Sequence, residues 1–461
     1  MQMHATIGAV VMAVILTAGA SLHAQPAATA GTGDASSETQ QLREELAALR
    51  AEVAELKKQQ NDGATWLDER RAKEVKALVR EVIADADQRA SLHGGSMGIT
   101  DDGTIRLLSS DGGFEMRIGG QLQLRGIGSV FTDDDASDNR DEFGFQIARA
   151  KLTFDGHVAD PRVTYHVKLS AKSDSGKETL EEATLGYDLG GGFGVVVGRN
   201  KLPFLRSEMV SFTKLLAVDR ASVTEFFTLD RAEKLQVNYA GDWLRAAAAF
   251  SDGGDTDATD FGEDPVEFAL TGRADVKLAG SWKQAKDITA WPDDEMGLFL
   301  GVAGHHENGD GNNGRDSDYS AYTVDALFNY RGGSLLAAFT HGFVDGDRND
   351  GVANRQPYGI LVEGGYHVSK KLEPFARWEY LDPDAAGSEP LQIVTAGANY
   401  YFRKHNLKFT GDVVYVYEGA FDSSTDTIGP GNNPFSSGLG LSEFKSGEDL
   451  VVFRSQVQLL F

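Results

Sequence analysis

Phe114-Glu115-Met116-Arg117-Ile118-Gly119-Gly120-Gln121-Leu122-Gln123-Leu124-Arg125 is the stretch on which the fold turns. Phe114, Met116, Ile118, Leu122 and Leu124 fall on one face. Glu115, Arg117, Gln121, Gln123 and Arg125 fall on the other. Alternation with period two places successive side chains on opposite faces of a β-strand, and about twelve residues is long for a strand of a soluble domain. The pattern recurs. Val163, Tyr165, Val167 and Leu169 oppose Arg162, Thr164, His166, Lys168, Ser170 and Lys172, and Tyr322, Val324, Phe328 and Tyr330 oppose Thr323, Asp325 and Asn329.

Outward from this stretch, sixteen such segments begin near 114, 146, 162, 180, 193, 233, 243, 266, 296, 320, 334, 357, 372, 391, 405 and 450. Short connectors such as Gly190-Gly191-Gly192 and Arg331-Gly332-Gly333 alternate with long ones at 131–142, 201–232, 251–265, 305–318, 344–356 and 419–449. The connector 280–295 is longer than its place in that alternation requires. An even number of long strands, one face apolar and one polar, with short and long connections in turn, predicts an all-β transmembrane antiparallel barrel of about 16 strands over 110–461. A soluble β-sandwich would have to bury the apolar faces of many long strands whose other faces carry charge. The final strand alternates Val451, Phe453, Val457, Leu459 and Phe461 against Arg454, Gln456 and Gln458, and Phe461 is read as a signal to the barrel assembly machinery.

The composition agrees with this reading. Of 461 residues 41% are apolar, as expected when a lipid-facing row is averaged with a wet one. There is no Cys, which excludes disulfides and thiol chemistry, and the net charge of −25 argues against a nucleic-acid partner. Much of the acidity lies in connectors: Asp133 to Asp135, 252–264, 310–318 and 345–350. Neither Asp310-Gly311-Asn312-Asn313-Gly314 nor Asp345-Gly346-Asp347-Arg348-Asn349-Asp350-Gly351 places Gly at the sixth position that a calcium loop requires, and the acidic connectors are read as solvated loops. His305-His306 with Glu307 suggests no metal, because neighbours on a strand point to opposite faces. No G-x-S-x-G, H-E-x-x-H or P-loop is present, so neither cofactor nor enzymatic activity is expected.

The N-terminal part reads differently. Ile7 to Ala18 has the length of a secretory h-region, and residues 1–24 are read as a signal peptide cleaved after Ala20 or Ala24. A disordered linker is expected over 25–37. Leu42, Leu46, Leu49, Val53 and Leu56 are spaced four, three, four and three, a heptad seam, and Val75, Leu78 and Val82 continue it. A periplasmic coiled coil over 38–93 is therefore expected to precede the barrel. It motivates an alternative function, in which the barrel anchors a tether between outer membrane and cell wall.

A barrel of this size holds an aqueous channel, and its selectivity rests on lumen charges. The connector 201–232 has apolar anchors and the cations Lys201, Arg206, Lys214 and Arg220, so it is the candidate constriction. Early strands add Arg149, Lys151, Arg162, Lys168 and Lys172 on inward faces. Val197-Gly198-Arg199-Asn200-Lys201-Leu202-Pro203-Phe204 resembles the V-G-x-x-K-x-P-F segment of the phosphate-selective porins of the O and P type. Ile147-Ala148-Arg149-Ala150-Lys151-Leu152-Thr153-Phe154-Asp155-Gly156 resembles their arginine-rich second strand. Leu205 stands where that family often has Gly, and Ala148 and Lys151 interrupt the arginine series. The resemblance implies a homotrimeric outer-membrane porin, embedded in lipid, that passes small anionic solutes such as phosphate. Arg199 joins the candidate anion contacts on this basis.

Overall fold

In the computed structural model, which describes residues 95–100, 103–132, 140–171, 178–254, 266–309, 318–345, 354–385, 388–420 and 449–461, period two becomes a closed barrel. The expected signal peptide, linker and coiled coil lie outside the described residues, as does Lys172. Among the described residues a hairpin of β1 (Gly95–Ile99) and β2 (Ile105–Ser109) precedes sixteen barrel strands. These are β3 (Phe114–Thr132), β4 (Arg140–Val158), β5 (Asp160–Ala171), β6 (Glu178–Gly190), β7 (Phe193–Lys201) and β8 (Arg231–Ala240). Then come β9 (Leu244–Ser251), β10 (Val266–Ala279), β11 (Gly297–Gly309), β12 (Asp318–Tyr330) and β13 (Gly333–Asp345). The circuit ends with β14 (Tyr358–Tyr366), β15 (Leu372–Asp382), β16 (Glu389–Arg403), β17 (Leu407–Ala420) and β18 (Asp449–Leu460). Each pairs antiparallel with the next, and β18 closes on β3 from Asp449↔Thr132 to Leu460↔Gln121. Closure leaves no unpaired edge in the barrel wall, the condition for crossing hydrocarbon with strands.

The apolar row of each strand faces outward. Leu235 (52% exposed), Val302 (52%) and Phe453 (53%) stand out from the wall, whereas Lys234, His305 and Arg454 on the opposite face are buried. At the seam Phe461 N donates to Gly120 O at 3.1 Å, and a Cβ on Gly120 would lie 2.4 Å from the Phe461 ring.

Two segments turn inward and give the barrel a core. One is 202–230, between β7 and β8. The other is 280–296, between β10 and β11, at the end of the barrel where every other turn is short. Phe204, Val223, Phe226, Phe227 and Leu229 of the first pack on inward residues of the wall, including Tyr319, Val344, Leu381, Ile393, Val416 and Leu450. Its Val210, Leu215, Leu216 and Ala217 form a second cluster with Ile288 of the other segment and with Phe299, Leu327, Leu336, Leu361 and Phe375. The inward face is thus polar only in part. Along β12 it runs Tyr319, Ala321, Thr323, Asp325, Leu327, with apolar side chains on both sides of the polar ones, and all are buried. Across the barrel, inward side chains of β5 stay partly open, with His166 31% and Lys168 23% exposed.

Gly198 shows how closely the wall is built. Its φ is +116, and an added Cβ would lie 2.2 Å from Ala183 O on β6. Gly198→Ala is expected to cost about 2–3 kcal/mol. The cost is read as a lower midpoint of heat unfolding in detergent, with Gly144→Ala, which would meet nothing within 4 Å, as the near-neutral control.

Candidate functional site

Pro203 follows the last residues of β7 and turns the chain inward, because its fixed φ and missing N–H end the ladder. Only short helical pieces form beyond it: α1 (Arg206–Met209), a single turn at Phe212–Lys214 with Ser211 Oγ accepting from Thr213 N at 3.3 Å, and α2 (Ser222–Phe226). Such a segment exposes many backbone carbonyls, and a buried carbonyl needs a donor. The barrel wall provides them. Arg273 Nη1 donates to Phe204 O (2.7 Å), Gln458 Nε2 to Thr213 O (3.0 Å), Lys408 Nζ to Leu215 O (2.8 Å) and Asn399 Nδ2 to Leu216 O (2.9 Å). Both Nη atoms of Arg377 donate to Asp219 O at 3.1 Å.

Ion pairs fasten the same segment. Arg206 reaches Asp275 (2.6 Å) and Asp325, and Arg273 shares both carboxylates. Asp219 is held by Arg125 and Arg149, each at 2.9 Å. Burial pushes the Asp219 carboxyl up, but Arg149, Arg125 and Arg454 outweigh it and hold it well below the usual carboxylate range. Val218 N donates to Asp412 Oδ2 (2.9 Å), and Asp412 also pairs with Arg454 at 2.7 Å.

One group of cations converges on a single ring. The Arg149 guanidinium carbon lies 3.5 Å from the centroid of Phe212 and that of Arg220 3.7 Å, with Lys201 Nζ at 5.5 Å and Lys151 Nζ at 5.6 Å. A ring face attracts cations, so Phe212 lets four positive side chains gather where they would otherwise repel. Lys201 Nζ and Arg220 Nη2 donate to a neutral oxygen, Glu208 O, at 2.7 and 2.8 Å, and Arg149 shares its one carboxylate with Arg125. Lys151 pairs with Glu181 at 2.5 Å, and Lys168 with Glu182 at 2.9 Å.

Of the residues expected from sequence, the structure therefore groups Lys201, Arg220, Arg149 and Lys151. Lys214 ends the same turn as Phe212, with no ion pair among the described residues, and Lys168 sits on the neighbouring wall. Arg206 is engaged by two carboxylates and fastens the segment. Arg162 pairs with Asp160 at the start of β5, 58% exposed, away from the Phe212 group. Arg199 pairs with Glu233 at 3.1 Å, directly opposite it in register, and shares its row with outward Val197 and Leu235. It is not among the cations gathered around Phe212. Phe212, Glu181 and Glu182 were not expected from sequence. The Glu pair is hidden from a period-two reading because a bulge between Lys168 and Leu169 turns both inward.

A model of the family described as phosphate-selective porin O and P matches residues 121–418. Among solved structures, an anion-selective porin from Comamonas acidovorans is similar with a TM-score of 0.50 at 13% identity, over 75% of this chain and 99% of that one. The Salmonella typhi OmpF complex with daunomycin gives 0.50 at 15% identity, over 76% and 98%. At such identities the likeness is one of fold. An uncharacterised protein of Aquifex aeolicus is 22% identical over 262 residues, 51% of this chain and 62% of that relative, so the match spans less than two thirds of it.

Proposed function

The chain belongs to the phosphate-selective porin O and P family, porin-type β-barrels of the outer membrane, and from that premise we propose that it conducts small anions, phosphate among them, by passive diffusion. The observation that carries this is the set of four cations around Phe212. The inward segments fill the β10–β18 side of the lumen, so the path for solute runs along β3–β9, past Lys168, Arg149 and Lys151, with Lys201 and the buried Arg220 beside them on the Phe212 ring. Positive side chains along a narrow, water-filled path raise the local concentration of anions and repel cations. The net negative charge of the chain does not oppose this, because much of it belongs to connectors outside the lumen. In this reading the protein works as a homotrimer, is exported by its first 24 residues, uses Phe461 in assembly and carries a periplasmic helical segment over 38–93.

The test is the reversal potential of the purified protein in planar bilayers across a salt gradient. Anion preference is expected, and the double variant Lys201→Gln with Arg220→Gln should lower the anion-to-cation permeability ratio roughly fivefold. Cation preference of the unaltered protein, or a double variant with unchanged preference, defeats the proposal.

A further inference from the structure

We propose that Glu208 sets how strongly the path prefers anions, as a counter-charge buried directly behind Lys201 and Arg220. Glu208 closes the first turn of the inward segment and is 0% exposed. Its carbonyl oxygen accepts from both Lys201 Nζ and Arg220 Nη2, the cations that flank Phe212. Among the described residues its carboxylate oxygens, by contrast, make no well-formed hydrogen bond, and Thr228 alone bears on them as a side-chain donor. A buried carboxylate so weakly held fastens little, since burial without good hydrogen bonds is costly. What remains is its charge, beside Lys201 and Arg220.

The groups that face it come from three elements. Lys201 stands on β7 and Lys234 on β8, while Arg220, Thr228 and Asp230 belong to the inward segment itself. Arg231 and Glu182 lie beyond them, around Lys201. Burial pushes the Glu208 carboxyl up to about 7, against the pull of Arg220 and Lys201 and helped by Asp230. A raised carboxyl is neutral below that value and ionised above it. In mildly acid solution Glu208 therefore leaves the charges of Lys201 and Arg220 uncancelled, and in alkaline solution it offsets one of them. Anion preference falls as pH rises through neutrality.

The inference rests on the proposed pore path for its sign, and the experiment separates the two. Reversal potentials are measured across a salt gradient from about pH 5 to about pH 9. The unaltered protein should lose roughly fivefold in anion-to-cation permeability ratio on crossing about pH 7. Glu208→Gln, neutral throughout, should lose the part of the step that Glu208 makes and keep only what its cationic neighbours contribute. A Glu208→Gln pore that titrates like the unaltered one overturns the inference. If that variant fails to insert, Glu208→Asp decides. Its shorter side chain withdraws the carboxylate, so the midpoint of the step should move, and an unmoved midpoint overturns the inference equally. A pore that prefers cations at every pH defeats the proposed function, while a step in that preference that Glu208→Gln abolishes still supports the role of Glu208.

Discussion

Replacing residues 281–295 by a two-residue turn is expected to raise single-channel conductance about twofold and to weaken ion selectivity, with the barrel intact. Strands β10 and β11 are neighbours and pair up to Ala279↔Leu298, so about two to five residues would join them. The segment instead crosses the short-turn end of the barrel. Trp282 Nε1 donates to Gly241 O (3.0 Å) in the β8–β9 turn. Asp287 binds His405 Nε2 (3.0 Å) beyond β16, and Thr289 Oγ1 lies 3.2 Å from the Tyr401 hydroxyl. Trp291 packs on Tyr401 with ring centroids 5.0 Å apart and on His367 and His405 at 5.3 Å. Contacts to turns on both sides of its own hairpin mean that it lies across the mouth. Ile288 then enters the apolar cluster of Leu215 and Leu216, so each inward segment supports the other. Removing 281–295 widens the exit and deprives the upper segment of that support, while the strand pairing that makes the wall is unchanged. Conductance equal to that of the unaltered protein would mean that 202–230 alone limits the current.

The strand framework was legible because period two is a strong signal over ten residues. Fifteen of the sixteen expected starts fall within two residues of those observed, and the other, near 146, falls six residues inside β4. That miss has a physical cause. A bulge sets Gln123 opposite Arg149 but Leu124 opposite Ile147, which reverses the alternation of β4. Phe143, Phe145 and Ile147 face outward above it, and Arg149 and Lys151 inward below it. The importance of 202–230 was legible from its composition, and the excess length of 280–295 was visible but unassigned. What could not be read is that inward apolar residues such as Leu327, Leu336 and Phe375 mark where a segment lands. Along one strand they look like lapses in a polar row, and only the closed sheet brings them together on Ile288 and Leu216. Arg199 illustrates the converse. Its motif neighbours are informative, but its own side chain pairs with Glu233 apart from the Phe212 group.

Asp219→Ala is expected to cost about 3–5 kcal/mol, because it leaves two buried guanidiniums without their shared carboxylate. Asp219 is 5% exposed and sits between Arg125 and Arg149, both at 2.9 Å, while its Oδ1 also accepts from Arg220 N at 3.0 Å. One side chain therefore ties β3, β4 and the inward segment together. Arg377 grips the backbone of the same residue and is unaffected by the substitution, so the segment should loosen rather than leave. The expected record is a lower heat-unfolding midpoint in detergent and a single-channel trace broken by fluctuations between conductance levels. Asp219→Asn, which keeps an acceptor but not the charge, should fall between. Acid should not reproduce the effect. The Asp219 carboxyl is held well below its ordinary value, so its stabilisation is complete above the unfolded value of about 4 and is lost only as pH falls through the lower, folded one. Over the range in which Glu208 changes charge, Asp219 stays ionised and the segment stays fastened. A selectivity step near neutrality that comes without added noise and that Glu208→Gln removes therefore belongs to Glu208, whereas noise appearing together with that step would place the titrating group among the fastenings of the segment.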